Sequence, residues 1–214
     1  MSDPAGNDDQ ELLRRALGGD EPALAALFDG YRDRLRKMIR LRLDRRLSGR
    51  VDTSDVLQDA YLDVRKRIAE YARDPAAMPF HLWLRLVTGQ RLTDVHRYHL
   101  GSQMRDAGQE VSLHRGPFPQ ASSISLAAQL LGKMTSASKA AIRAEHKLIV
   151  QEALNGMDPI DREVLALRHF EHLSNDETAQ VLGQSKSAAS NRYIRALKRL
   201  KEILSSIPGL REQL

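Results

Sequence analysis

The sequence contains no cysteine. That excludes disulfides, thiolate nucleophiles and any zinc or iron–sulfur site built on sulfur. No stretch of about 18 uninterrupted apolar residues occurs, so no membrane-spanning helix is expected. Met1 to Asp9 are polar and acidic, without the basic start and apolar core of a secretory signal. The expected location is therefore the cytoplasm. Aromatic residues make up only 5% of the chain, and no β-branched run alternates with period two, so no strand is expected. A Gly-rich phosphate loop and a nucleophile with a base beside it are missing too, which gives no ground for catalysis.

Leu, Ala and Arg are abundant instead, and all three favour helix. With 214 residues and 42% hydrophobic content the chain can bury a core in one large domain or in two small ones. The net charge is +5, and its distribution is uneven. Arg32 to Arg50 carries nine basic residues against two acidic ones, and Lys186 to Lys201 carries six basic residues and no acid. Such clusters suit either a polyanion or a solvated helix face.

Residues 8–100 carry the pattern of packed helices. After Asp20, a candidate N-cap, apolar residues recur at Leu24, Leu27, Phe28, Tyr31, Leu35, Met38 and Ile39 along one stripe. A second helix begins near Asp52 to Ser54 and turns Leu57, Ala60, Tyr61, Val64 and Ile68 inward. A third spans about Phe80 to Tyr98. Residues 101–140 hold several Gly, Pro and Ser and little charge, and are read as a linker with a short helix at Ser125 to Leu131. A second compact domain is expected over 141–207.

That second domain holds the clearest local chemistry. Asp158-Pro159 places an N-cap and a first-turn proline. Ser174-Asn175-Asp176-Glu177 is a capping box, and Gly183 suits the left-handed stop of the short helix that follows. Ser185 caps the next helix, Lys186 to about Leu204. Two helices joined by a tight Gly-containing turn match a DNA-binding helix-turn-helix. At about 100° per residue, Ala189, Tyr193, Ala196, Leu197 and Leu200 face the core, while Ser187, Asn191, Arg195 and Lys198 lie opposite. Asn and Arg can pair with base edges, and Lys and the flanking Arg192 and Arg199 with phosphates.

The helix from Asp55 to Lys66 has an acidic outer face carrying an exposed Leu62, which in a basic protein suggests a protein partner. The helix from Phe80 interleaves aromatics with Arg85, Gln90, Arg91 and Arg97, as single-stranded nucleic acid would require. Trp83, beside Leu84 and Val87, is read as core. His96/His99 and His169/His172 are spaced three apart, but without nearby carboxylates no metal site is expected.

These segments resemble the bacterial sigma-70 family of RNA polymerase sigma factors, in its extracytoplasmic-function (ECF) group. Asp55-Val56-Leu57-Gln58-Asp59-Ala60-Tyr61 is similar to region 2.2. Phe80-His81-Leu82-Trp83-Leu84 with Asp94 and Arg97 is similar to regions 2.3 and 2.4. Asp158 to Leu165, then Leu173 to Gly183 with Arg192, Arg195 and Ala196, is similar to regions 4.1 and 4.2. The linker's length and composition resemble those of planctomycete-type members. Gly89 stands where a helix former is usual, so a bend is expected there.

The resemblance implies an all-α fold: a region 2 helical bundle and a region 4 helix-turn-helix joined by a flexible linker. It implies a non-enzymatic subunit with no cofactor, which directs promoter recognition and transcription initiation. Asp55, Gln58, Asp59 and Leu62 would dock on the core polymerase, whose β′ and β subunits are the expected partners. Arg85, Gln90, Arg91 and Arg97 would hold the −10 element. Lys186, Ser187, Ser190, Asn191, Arg192 and Arg195 would read the −35 element of promoter DNA. An anti-sigma factor is a further expected partner, and a membrane is not. The rival readings are a stand-alone helix-turn-helix regulator with a sensor domain and a helical adaptor that binds no DNA.

Overall fold

A computed structural model of the chain describes residues 4–47, 49–100, 119–134 and 140–205. The described residues are helical, with no strand among them, and they fall into two compact units, 1–119 and 120–214.

In the first unit α1 (Pro4–Leu17) precedes the stripe expected after Asp20. Gly18 and Gly19 end it. Gly19 has φ 93°, and Asp20 N–H returns to Arg15 O at 3.1 Å while Gly19 N–H bonds Ala16 O, the paired bonds of a Schellman stop. Asp20 then caps α2 (Glu21–Arg42) by accepting from Ala23 N–H. That bond, followed by the Arg15 guanidinium, holds its carboxyl below the usual range. Asp52 caps α3 (Thr53–Tyr71) by accepting from Ser54 N–H at 2.7 Å.

α4 (Phe80–Leu100) is the central element and runs uninterrupted through Gly89. It buries residues on almost every side, from Phe80 and Leu84 to Leu92 and His96, so it lacks the single apolar stripe of a surface helix. It packs against α2 and α3. Trp83 is 7% exposed and sits 5.1 Å from the Tyr71 ring and 5.7 Å from that of Phe80, within the core.

In the second unit α5 (Ser123–Met134) packs against α6 (Ala140–Asn155). The boundary expected at 140 lies at 119/120 instead, because Leu126, Ala127 and Leu131 are buried and Ala121 N–H donates to the buried Glu163 carboxylate at 2.9 Å. The remainder of the expected linker, 101–118 and 135–139, lies outside the described residues. α7 (Pro159–Leu165) widens into a π-helical turn over Ala166–Phe170, where Glu171 N–H reaches back five residues to Ala166 O. α8 (Asn175–Leu182) and α9 (Lys186–Ser205) complete the unit. Arg162 donates to the carbonyls of Leu154 and Met157 and so closes the end of α6 onto α7.

Candidate nucleic-acid interface

The helix-turn-helix is built from local chemistry. Ser174 Oγ accepts from Glu177 N–H at 3.2 Å, and Glu177 returns a carboxylate to Ser174 N–H at 2.7 Å. Two of the free amides at the start of α8 are thereby satisfied. Gly183 ends α8 with φ 63°, a left-handed turn that a side chain would strain. Gln184 N–H bonds back to Ala179 O, and Ser185 Oγ accepts from Ala188 N–H to open α9. Asn175 Nδ2 donates to Lys186 O at 3.0 Å and ties the two helix starts together.

Ala189, Ala196 and Leu200 turn inward, whereas Ser187, Asn191, Arg195 and Lys198 are exposed. Behind α9, Tyr193 Oη lies 3.1 Å from His169 Nε2, and the Arg168 guanidinium stacks 5.0 Å from the Tyr193 ring. On the front, Gln184, Ser185, Ala188, Asn191, Arg192 and Arg195 line an open cleft of about 630 Å³.

The six residues expected to read duplex DNA are not equivalent. Lys186 is exposed, and its ion pair with Asp176 at 2.6 Å is exposed as well, so a phosphate can displace it. Ser187, Asn191 and Arg195 face solvent, and Ser190 is half-buried. Arg192 is only 22% exposed; it pairs with Asp161 at 2.8 Å and lies 3.7 Å from Asp158. It clamps α9 to the start of α7.

The first unit presents two further groups. Asp55, Gln58, Asp59 and Leu62 form one exposed stripe on α3, with Leu62 42% exposed. Among the described residues no ion pair engages Asp55 or Asp59, so both carboxylates face water. On α4, Arg97 is exposed beside Asp94 at 3.2 Å. Gln90 accepts from Arg67 Nη1 at 2.6 Å, and Arg91 pairs with Asp63 at 2.6 Å, so both are held against α3. Arg85 is buried, at 6% exposure. One histidine of each pair spaced in threes is held by a neighbour: His96 Nε2 accepts from Asp44 N–H, and His169 meets Tyr193.

The sequence reading did not name Gln184 or Ala188 as walls of the cleft. It also did not assign Asp63 and Arg67 as partners of α4. The spacing of Asp59, Asp63 and Arg67 along one helix flank carried that second signal.

Two units, helical in their described residues, one of them with an exposed helix rich in Arg and Lys after a capped helix-turn, define the helix-turn-helix class. Residues 147–200 match the family described as sigma-70, region 4. The ECF RNA polymerase sigma factor BldN of Streptomyces coelicolor is 25% identical over 94% of this chain and 69% of its own length. The RNA polymerase sigma factor NccH of Alcaligenes xylosoxydans xylosoxydans is 25% identical over 96% of this chain and 98% of its own. A shorter match, 38% identical over 60 residues, covers about a third of the RNA polymerase sigma-E factor of Streptomyces avermitilis. The fold is also that of CnrH, solved in complex with the cytosolic domain of CnrY, at a TM-score of 0.57 and 22% identity over 93% of this chain and 98% of that one. The region 4 match is thus confined to the second unit, while over nearly its whole length the chain is similar to RNA polymerase sigma factors, an extracytoplasmic-function one among them.

Proposed function

We propose that this chain binds core RNA polymerase and directs it to promoters by reading DNA with two separate units. The observation that carries this reading is the exposed face of α9. Its Ser187, Asn191, Arg195 and Lys198 offer base and phosphate contacts, with no acid among them, on a helix fixed from behind by Ala189, Ala196 and Leu200.

The division of labour follows the chemistry of each surface. On α3 the exposed Leu62 supplies an apolar anchor, and Asp55 and Asp59 supply unpaired carboxylates for basic groups on the polymerase β′ and β subunits; Gln58 lies between them. The first unit thus acts as the enzyme-gripping module, and the second, which begins at Gln120, as the duplex-reading one. On α4, Arg97 is the outermost contact for the melted −10 strand. Gln90 and Arg91 join it by exchanging Arg67 and Asp63 for nucleotide groups, and Arg85 supports the helix from within. In the −35 duplex, Lys186, Ser187, Ser190, Asn191 and Arg195 touch DNA, with Arg192 fixing the pitch of α9. The polymerase performs the chemistry, and the chain works beside it in the cytoplasm. An inhibitory protein of the anti-sigma type is a further partner, in the way that CnrH is seen with CnrY.

Run-off transcription tests this reading. Core polymerase supplied with the chain should initiate at defined sites on a genomic promoter library. The reading fails if the chain leaves initiation by core enzyme unchanged.

A further inference from the structure

Gln184 occupies the turn between Gly183 and the cap of α9, and it belongs to no group assigned above. Its backbone is fixed: Gly183 before it is left-handed, its own N–H is bonded to Ala179 O at 2.9 Å, and Ser185 after it caps α9. Its side chain lines the same cleft as Asn191 and Arg195. Its Oε1 is buried and has no hydrogen-bond partner among the described residues.

An unpaired buried amide oxygen is costly, and an apolar side chain of the same length would avoid the cost. The described residues offer this oxygen no donor, so the amide gives up no hydrogen bond to them when it turns into the cleft. The partner must then supply a hydrogen. DNA phosphates and deoxyribose carry acceptors only. In the major groove the donors are the exocyclic amino groups of adenine and cytosine. A Gln amide also carries a donor end, and the pair of ends matches adenine, accepting from N6 and donating to N7. The position agrees, because the turn that leads into a recognition helix lies beside the N-terminal end that approaches the bases.

We infer that Gln184 is a further specificity-determining residue, which pairs with one adenine of the upstream promoter duplex next to the bases met by Asn191. The inference rests on the proposed duplex-reading role of α9.

The test is a single-base substitution scan of the upstream promoter element, read as binding by the full chain assembled with core polymerase. It compares the wild type with Gln184→Ala, Gln184→Leu and Gln184→Glu. Wild type should discriminate at several positions. Gln184→Ala and Gln184→Leu should lose roughly tenfold preference at one A·T pair, with the other positions and the salt dependence unchanged. Gln184→Glu should move the preference at that pair toward cytosine, whose amino group a carboxylate accepts. A Gln184→Leu profile identical to wild type overturns the inference and leaves the amide structural. Equal weakening at every position with a shallower salt slope also overturns it, since that marks a phosphate contact. If wild type shows no base preference anywhere, the duplex-reading role itself falls, and the assignment of Gln184 with it.

Discussion

Arg192 shows how burial redistributes roles that sequence makes look alike. Arg192 and Arg195 lie three residues apart on α9 and both suit contacts with DNA, yet Arg195 is exposed while Arg192 is held by Asp161 at 2.8 Å. A partner from α7, about thirty residues back in the chain, is invisible to helical spacing. Replacing Asp161 by Asn should therefore lower the stability of the second unit by about 1 kcal/mol, seen in urea unfolding, through loss of a partly exposed ion pair. His96 carries a pH dependence in the first unit. It is 7% exposed, and its Nε2 accepts from Asp44 N–H at 3.2 Å, which only the neutral ring can do. Burial pulls its pKa below the ordinary 6.5, with the Asp44 carboxylate opposing and Arg46 assisting. A depressed folded pKa means that the unfolded chain takes up the proton first. The contribution is complete above the ordinary value and is lost as pH falls below it through the folded value. The thermal stability of the first unit should fall as pH drops below the ordinary 6.5, and His96→Gln, which keeps an acceptor for Asp44 N–H, should flatten that dependence. An unchanged slope in the variant would remove His96 from the account.

Elements whose limits are set by neighbouring residues were legible in the chain. Asp20, Asp52, Asp158, Ser174 and Gly183 each mark a helix end through a cap or a left-handed residue within a few positions. Elements defined by what packs on them were not. α5 looks like part of a tether in a Ser- and Gly-containing stretch, and only its buried Leu126 and Leu131 and the Glu163 bond at Ala121 assign it to the second unit. α4 carries Arg85, Gln90 and Arg91 at spacings that suit a bound strand, but its position at the centre of the first unit encloses Arg85 and gives the other two α3 partners. The π-helical turn at Ala166–Phe170 had no local mark either, since the wide bond at Glu171 leaves no signature in residue types. Two variants test the helix-turn-helix at this scale. Ser174→Ala should cost about 1 kcal/mol by removing half of the capping box. Gly183→Ala should cost about 1–2 kcal/mol by forcing a side chain into the left-handed region. Equilibrium unfolding of the chain measures both, and near-zero effects would mean that the turn is set by packing rather than by these two residues.

For the molecule as a whole, charge is the organising quantity. An acidic stripe on α3 and a basic surface on α9, with no acid from Lys186 to Lys201, lie in separate units of a chain whose net charge is +5. Binding to promoter duplex should weaken steeply with salt, and Lys198→Ala should reduce the slope of log affinity against log salt by about one while leaving base preference unchanged. A slope equal to wild type would place Lys198 away from the phosphates. The two surfaces should also fail independently. The most direct measurement is a crossed pair of binding titrations, against core RNA polymerase and against promoter duplex in the assembled complex, with melting curves recorded for each variant. The paired charge reversal Asp55→Arg with Asp59→Arg should abolish association with core enzyme. Asn191→Ala with Arg195→Ala should leave core binding at wild-type strength and lose promoter discrimination. If the folded charge-reversal variant holds core polymerase as tightly as wild type, the role given to α3, and the two-unit account with it, is contradicted.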